Sequence, residues 1–240
     1  MISIIIPTKN EISVIGRTLQ GFRGAKKRHF EIIVSDGGST DGTVEVARKY
    51  ADKVITHDGM TRQTIAFGKN AGARAATGEY LAFFDADVTI LNIDEFFDTA
   101  LSLLKRYPDI VAFTGHLRVL PEHETLSDRF FFGLVNHLHF IQNNFLRIGA
   151  ASGEFQMMRR DVFLKLGGYR EDLTVSEDQE FFRRLAKNGR THFHRRLTVH
   201  HTGRRAHKIG WLKMLILWFL NDMSVRIFNK SSSVFWKEIR

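Results

Sequence analysis

An α/β domain with a mainly parallel central sheet, covered by helices on both faces, is what this sequence predicts. Three observations support it: short apolar runs alternate with segments of helical spacing, glycine-rich turns separate them, and polar clusters follow three of the runs. Ser3 to Ile6 is a short apolar run closed by Pro7, after which Ile12, Ile15 and Leu19 recur at helical spacing until Gly21 and Gly24. Glu31 to Ser35 reads as the next strand, Gly37 to Gly42 as a turn, and Thr43 to Tyr50 as a helix with Asp41 as its N-cap. Lys53 to Thr56 is a further strand. Arg62 to Ala76 reads as an alanine-rich helix stopped by Thr77-Gly78, and Tyr80 to Phe84 as the strand that follows.

After Pro108 the strand Ile110 to Thr114 continues the sheet, and the aromatic stretch from Leu126 to Ile148 reads as one or two helices. Aromatics at helical spacing most often form core, but they also suit an acceptor groove or a membrane-facing surface. A strand around Phe155 to Met158, a helix opened by Asp161, a Gly167-Gly168 stop, a helix from Glu177 to Lys187 and two short strands come next. An amphipathic helix from Ile209 to about Phe228 closes the pattern.

Composition narrows the function classes. The chain has 240 residues, 43% hydrophobic and 25% charged, which suits one large folded domain with an extension rather than two equal domains. With no cysteine, disulfides, thiolate metal sites and a cysteine nucleophile are excluded, and a reducing, cytoplasmic compartment is compatible. The N-terminal MISIIIPTKN lacks the basic flank of a signal peptide, and the apolar run Met214 to Leu220 is far below the roughly 18 to 20 residues of a spanning helix. The net charge of +9 asks for an anionic partner: a nucleotide diphosphate, anionic lipid or nucleic acid.

In parallel sheets, ligands bind beyond the carboxyl ends of the strands. Thr8 to Glu11, Asp36 to Asp41 and Asp85 to Asp87 all fall there, and acids that converge need a cation or donor groups among them. The bland alternative, that each acid caps a turn, stays open for Asp41. Neither a P-loop, a dinucleotide fingerprint nor a G-x-S-x-G elbow is present.

Four segments taken in order, IIIPTKNE, VSDGGSTDGT, GKNAGARAATGEYLAFFDADV and GGYREDLTVSEDQEFFRRLAKNG, resemble the successive motifs of the family 2 inverting glycosyltransferases from Ser3 to about Gly189. The resemblance implies the GT-A fold, with a catalytic domain over 1–205 and a helical extension over 206–240. Within the domain, 1–115 would be the nucleotide-sugar half and 116–205 the acceptor half. It implies that Pro7, Thr8, Asn10 and Glu11, with Asp36, line the nucleoside pocket. Gly37 stands where many members carry a second aspartate, so that role passes to Asp36 alone.

Asp85-Ala86-Asp87 resembles the DXD motif, in which hard carboxylate oxygens hold magnesium or manganese against the diphosphate. Asp87 is assigned to the metal and Asp85 to ribose or a metal-bound water. The preceding helix brings Arg62, Lys69 and Asn70, with Lys69 expected at the donor. Asp178 of Ser176-Glu177-Asp178 matches the family's general base, and the same residues also read as an ordinary helix start with Ser176 as N-cap. Gly153-Glu154 and Tyr169 resemble acceptor-side segments, where Phe155 and Tyr169 are more readily core. The resemblance further implies His201 as a metal ligand and Arg204-Arg205 as a basic segment over the diphosphate.

The expected reaction is transfer, with inversion, from a UDP- or GDP-sugar to a glycan, a lipid phosphate or another hydroxyl acceptor. A sugar-phosphate nucleotidylyltransferase would need a glycine-rich basic loop near the N-terminus that this sequence lacks. A nucleic-acid-binding protein would leave the clustered acids unexplained. Trp211, Leu212, Leu215, Trp218 and Phe219 with Lys208, Lys213 and Arg226 suit either an anionic membrane at the inner face of the cell or packing onto the domain.

Overall fold

The computed structural model describes residues 1–57 and 63–233. Arg62, the expected start of its helix and the last residues of the expected extension lie outside the described residues. Seven strands form one sheet: β1 (Ile2–Thr8), β2 (Glu31–Asp36), β3 (Lys53–Thr56), β4 (Tyr80–Phe84), β5 (Ile110–Val119), β6 (Phe155–Arg159) and β7 (Arg190–His201), in the order β3-β2-β1-β4-β6-β5-β7. The first four strands and the β5/β7 pair are parallel; β6 runs antiparallel between β4 and β5. The expected mainly parallel sheet is present.

Helices cover both faces, as the continuous apolar runs of the inner strands require. In β1, Ile4 and Ile6 face a core shared with Ile15, Leu19 and Phe22 of α1 (Ile12–Arg23), while Ile5 faces the opposite core. On that second face lies α3 (Ile65–Ala75). A Cβ on Gly72 would sit 2.4 Å from Ile5 Cγ2, so only glycine lets α3 lie this close to β1. The following helices are α4 (Ile93–Arg106), α5 (Leu126–Asn144), α6 (Arg160–Lys165), α7 (Glu177–Ala186), α8 (Arg204–Ile209) and α9 (Trp211–Phe228), with the short α2 (Thr43–Arg48) earlier in the chain.

Several local expectations are corrected. The expectation omitted α4, although Phe96, Phe97, Ala100, Leu103 and Leu104 bury one face at helical spacing. The two short strands before the last helix are one strand, β7, with a register shift opposite Gly115 and His116. Ser176 is no side-chain cap: it sits at φ 64° and makes no capping bond. Asp41 does not occupy the N-cap of α2, which is Gly42; its carboxylate instead accepts from Thr43 N and from Ile12 N, joining the starts of α2 and α1. The terminal helix is broken at Gly210, and apolar residues surround α9 rather than forming one face. Trp211, Met214 and Val225 are buried, while Leu212, Ile216 and Phe219 are exposed.

The N-terminal end of α9 is nonetheless fixed to the domain. Asp128, fully buried at the first turn of α5 in a capping box with Thr125, accepts from Trp211 Nε1 at 2.8 Å and lies 2.8 Å from His207 Nε2. Phe131 stacks on Trp211 and Phe132 meets it edge-on. Farther along, Arg183 of α7 bonds Asp222 of α9 at 2.6 Å. Among the described residues no helix is long and apolar enough to cross a membrane.

Candidate active site

The parallel register sets Thr8 of β1 beside Asp36 of β2, so the loops that follow both strands emerge at the same edge. Side chains join those loops. Asn10 N donates to Ser39 Oγ at 2.7 Å, Thr40 N to Asn10 Oδ1 at 2.9 Å, and Glu11 N to Thr43 Oγ1 at 2.8 Å. Asp36 is turned into its own loop, accepting from Gly38 N, Ser39 N and Ser39 Oγ. It borders a hollow of about 330 Å³ with Ser35, His57, Phe67 and Arg74.

A larger cleft of about 660 Å³ opens beside it. Pro7, Thr8 and Glu11 form one end, Asp85, Asp87, His201, Arg204 and Arg205 the middle, and Lys69, Glu154, Glu177 and Asp178 the far end. The structure therefore brings together most of the residues expected at the site, while Asn10 and Asp36 stand outside this cleft and shape its neighbouring loops.

Asp87 Oδ2 accepts from Thr202 N and Thr202 Oγ1, and Arg204 Nε lies 3.7 Å away. The Arg204 guanidinium grips Glu11 with both arms, at 2.7 and 2.8 Å, so it ties the loop after β1 to the acid after β4. His201 is buried, with Nδ1 facing Gly203 N at 3.2 Å and Nε2 without a hydrogen-bond partner. Lys69 is not open to a donor: its ammonium, 1% exposed, pairs with Glu177 Oε1 at 2.8 Å. Burial alone would depress that ammonium's pKa, but Glu177, with Tyr169, Asp178 and Asp85 beyond it, holds it above the ordinary lysine value. Phe155 and Tyr169 are core residues, as expected of the blander reading.

Gly153 separates the two acids that matter most. A Cβ there would lie 3.6 Å from both Asp85 carboxylate oxygens and 3.9 Å from Asp178 Oδ2, so the missing side chain is the space between them. Burial, with Glu154, Asp87 and Glu177 nearby, raises Asp85 well above the usual carboxylate range despite the opposing pull of Lys69. Burial and Glu177 push Asp178 up to about 7, against Lys69 and a 2.8 Å bond from Gln179 N. Crowded acids of this kind suit a cation or a proton-accepting task.

A divalent cation fits this donor set in part. Asp85 and Asp87 offer hard oxygens at a crowded anionic point, and His201 Nε2 is a buried nitrogen in the same cleft. Among the described residues, however, no three His, Asp or Glu side chains are grouped to hold an ion alone. An ion here needs ligand oxygens to complete its shell.

Sequence reasoning missed Thr202 on Asp87, the Lys69 to Glu177 pair, and two buried polar atoms without partners that line the cleft, Ser152 Oγ and His139 Nδ1. Burial lowers the His139 imidazole to about 4, so it is neutral. Glu154 was legible through the resemblance of Gly153-Glu154, whereas these residues carry no local signature.

The family model for "Glycosyl transferase family 2" matches residues 3–167. The chain belongs to glycosyl transferase family 2. It is 30% identical over 203 residues to the succinoglycan biosynthesis protein ExoA of Rhizobium meliloti, spanning 78% of this chain and 58% of that one. It is also 36% identical over 94 residues to a validoxylamine A glucosyltransferase of Streptomyces hygroscopicus, covering 37% of this chain and 22% of the relative. The chain thus spans less than two thirds of the length of both relatives. Among solved structures, the mannosyltransferase PcManGT of Pyrobaculum calidifontis, in complex with GDP-Man and Mn2+, matches with TM-score 0.68 at 22% identity, over 90% of this chain and 59% of that one. Glucosyl-3-phosphoglycerate synthase of Mycobacterium tuberculosis, in complex with Mn2+, UDP and glucosyl-3-phosphoglycerate, matches with TM-score 0.63 at 17% identity, over 95% and 79%. These likenesses show the GT-A fold.

Proposed function

We propose that this family 2 enzyme transfers a sugar, with inversion, from a UDP- or GDP-sugar to a hydroxyl or lipid-phosphate acceptor in the cleft beside Gly153. The carrying observation is the placement of Asp85 and Asp178 on either side of that glycine, in one cleft with the loop after β1 and with Arg204 and Arg205. The matched structures were solved with GDP-Man or UDP and Mn2+, which supports a nucleotide-sugar donor and a divalent cation for this chain as well.

Pro7, Thr8 and Glu11 bound the nucleoside, and Asp36 acts from behind them by fixing its loop. Thr8 Oγ1 and Ser35 Oγ, both buried without partners, are available to donor groups at that end. Asp87 and Asp85 hold the cation, magnesium or manganese, with His201 beside them. When bound, such an ion neutralises the diphosphate and stabilises the charge that develops on the leaving nucleotide. Arg204 and Arg205 add positive charge at the same place, and a donor phosphate competes with Glu11 for Arg204. Asp178 takes the acceptor proton as the acceptor oxygen attacks the anomeric carbon from the face opposite the nucleotide. A carboxylate held near 7 is a stronger base than an ordinary one, and roughly half of it is ionised at neutral pH.

The supporting experiment is a thermal-shift screen of UDP- and GDP-sugars with and without manganese, on the wild type and Asp87→Ala. A donor that binds the native state raises the melting temperature. The expected result is a manganese-dependent shift in the wild type that disappears in the variant. An unchanged shift in EDTA, or in Asp87→Ala, would reject the cation assignment.

A further inference from the structure

The cleft does not end at Asp178. It continues outward between α5 and α9, where its walls become apolar: Phe132, Val135 and Leu138 on one side, Met214, Trp218 and Phe219 on the other. The two helices meet at Trp211, held by Asp128, Phe131 and Phe132 of α5. Beyond that contact they part, because α9 is drawn to α7 by the Arg183 to Asp222 bond while the end of α5 is tied to β7 by Asn144 and Phe193. The wedge between them is the groove. From these features the geometry points to a lipid acceptor, whose hydrocarbon chain lies in the groove between α5 and α9 while its polar head reaches Asp178.

Three observations select a hydrocarbon as the occupant. First, both walls are helices whose backbone groups are bonded internally, so the groove offers no strand edge to pair with an extended peptide, whereas an alkyl chain needs none. Second, the groove is continuous with exposed apolar side chains on both helices, Leu134 and Leu138 on α5 and Leu212, Ile216, Phe219 and Leu220 on α9, each at least 44% exposed. A surface of this kind is what a chain leaving a bilayer would cross. Third, apart from Asp222, which is paired with Arg183, the charges along these two helix segments are basic. Residues 129–149 and 211–220 contain Arg129, paired with Glu124, together with Arg147 and Lys213, and no aspartate or glutamate. Arg147 is flanked by the exposed Leu146 and Ile148, and Lys213 by the exposed Leu212. Cations scattered among apolar side chains complement anionic headgroups at an interface. The head-to-tail order follows: polar and acidic at the floor, apolar along the groove, basic and apolar where it opens. This inference rests on the reading of the cleft as a sugar-transfer site.

The test uses the whole chain with decyl, dodecyl and tetradecyl phosphate as probes below their micelle concentrations, read by tryptophan fluorescence. Affinity should rise by up to about fourfold for each added methylene, the increment expected when hydrocarbon leaves water. Val135→Trp fills the groove without removing apolar surface, so it should abolish the chain-length dependence yet leave flotation with phosphatidylcholine–phosphatidylglycerol vesicles unchanged. Leu138→Glu and Phe219→Glu, at exposed positions that the fold tolerates, should weaken both. Affinity independent of chain length, or unaltered in Val135→Trp, overturns the proposal. So does a dimer in sedimentation that Leu138→Glu and Phe219→Glu dissociate while alkyl binding persists, since the occupant would then be a second copy. The donor thermal shift is read separately: its absence alongside intact alkyl binding would instead sink the transfer reading.

Discussion

At the end of the cleft near β1, Glu11 accepts from Arg204, and Asp87 in the middle accepts from Thr202, while Asp36 accepts from its own loop just outside; Asp85 and Asp178, at the end near α7, are buried, crowded by Glu154 and Glu177 and held above the usual carboxylate range. The first set is neutralised in advance and the second is kept under electrostatic tension. On the proposed transfer reading, a donor entering the first region would exchange one set of charge-assisted bonds for another, and an acceptor entering the second would meet a carboxylate that gains by taking a proton. Binding and proton transfer would then be separated along one cleft by how its acids are satisfied.

The sharpest way to break that contrast is Asp178→Asn, which keeps the shape and removes the basicity. Turnover should fall by roughly 100- to 10,000-fold with donor affinity retained, measured by steady-state kinetics beside donor titration. The fold itself should gain. The native pKa of Asp178 is raised from its ordinary 3.8 to about 7, so its ionisation opposes folding increasingly as pH climbs between those values and by a constant amount above them. Asp178→Asn should therefore melt higher than the wild type at pH 8, and a lower melting temperature would contradict the assigned tension.

Lys69→Met comes next. It leaves Glu177 buried without its cation, and breaking a buried pair costs about 3 to 5 kcal/mol, measurable by urea unfolding. Replacing both partners with apolar residues should restore most of the stability. If the single variant is as stable as the wild type, the pair does not hold this end of the cleft together.

Arg204→Ala tests the opposite region. Losing a guanidinium bonded to one carboxylate and adjacent to another should weaken donor binding by about tenfold or more while changing turnover at saturating donor less. Equal donor affinity would show that the pre-neutralised region is merely structural. A further handle on the same contrast is pH. With Asp178 required as the carboxylate, turnover should fall about tenfold for each pH unit below about 7 and level off above it. Glu177, Lys69 and Glu154 face Asp178 and set that midpoint, so Lys69→Met should move it upward.

Much of this contrast was legible before the structure. Local patterns placed β1, β2 and β4 and the acids after them, because each strand and its turn are contiguous and apolar runs ending in polar clusters need no distant partner to be read. Asp178 was reached through the resemblance of its segment. What escaped notice depends on pairs far apart in sequence. Lys69 and Glu177 lie 108 residues apart, and Thr202 meets Asp87 across 115. A lysine on the helix that precedes an acidic strand end looks like a phosphate ligand until its partner is known. The bonds of Asp36 within its own loop were local enough to read, since its spacing to Gly38 and Ser39 allows a self-contained turn. The one-faced terminal helix failed for a different reason, since α9 contacts the domain on one side, borders a groove on another, and carries apolar residues for both.

The bond between Glu11 and Arg204 closes a loop of 193 residues. Closing so long a loop has an entropic cost that local contacts do not share, and it is met only when the intervening sheet is in place. Thr202, Arg204 and Asp178 all arrive from the later part of the chain, yet they complete a region whose first residues are Pro7 and Thr8. A fragment ending after β4 therefore keeps the β3-β2-β1-β4 pairing and still lacks Thr202, Arg204 and Asp178, and loosening the segment around α8 is felt at the loop after β1 before any strand separates.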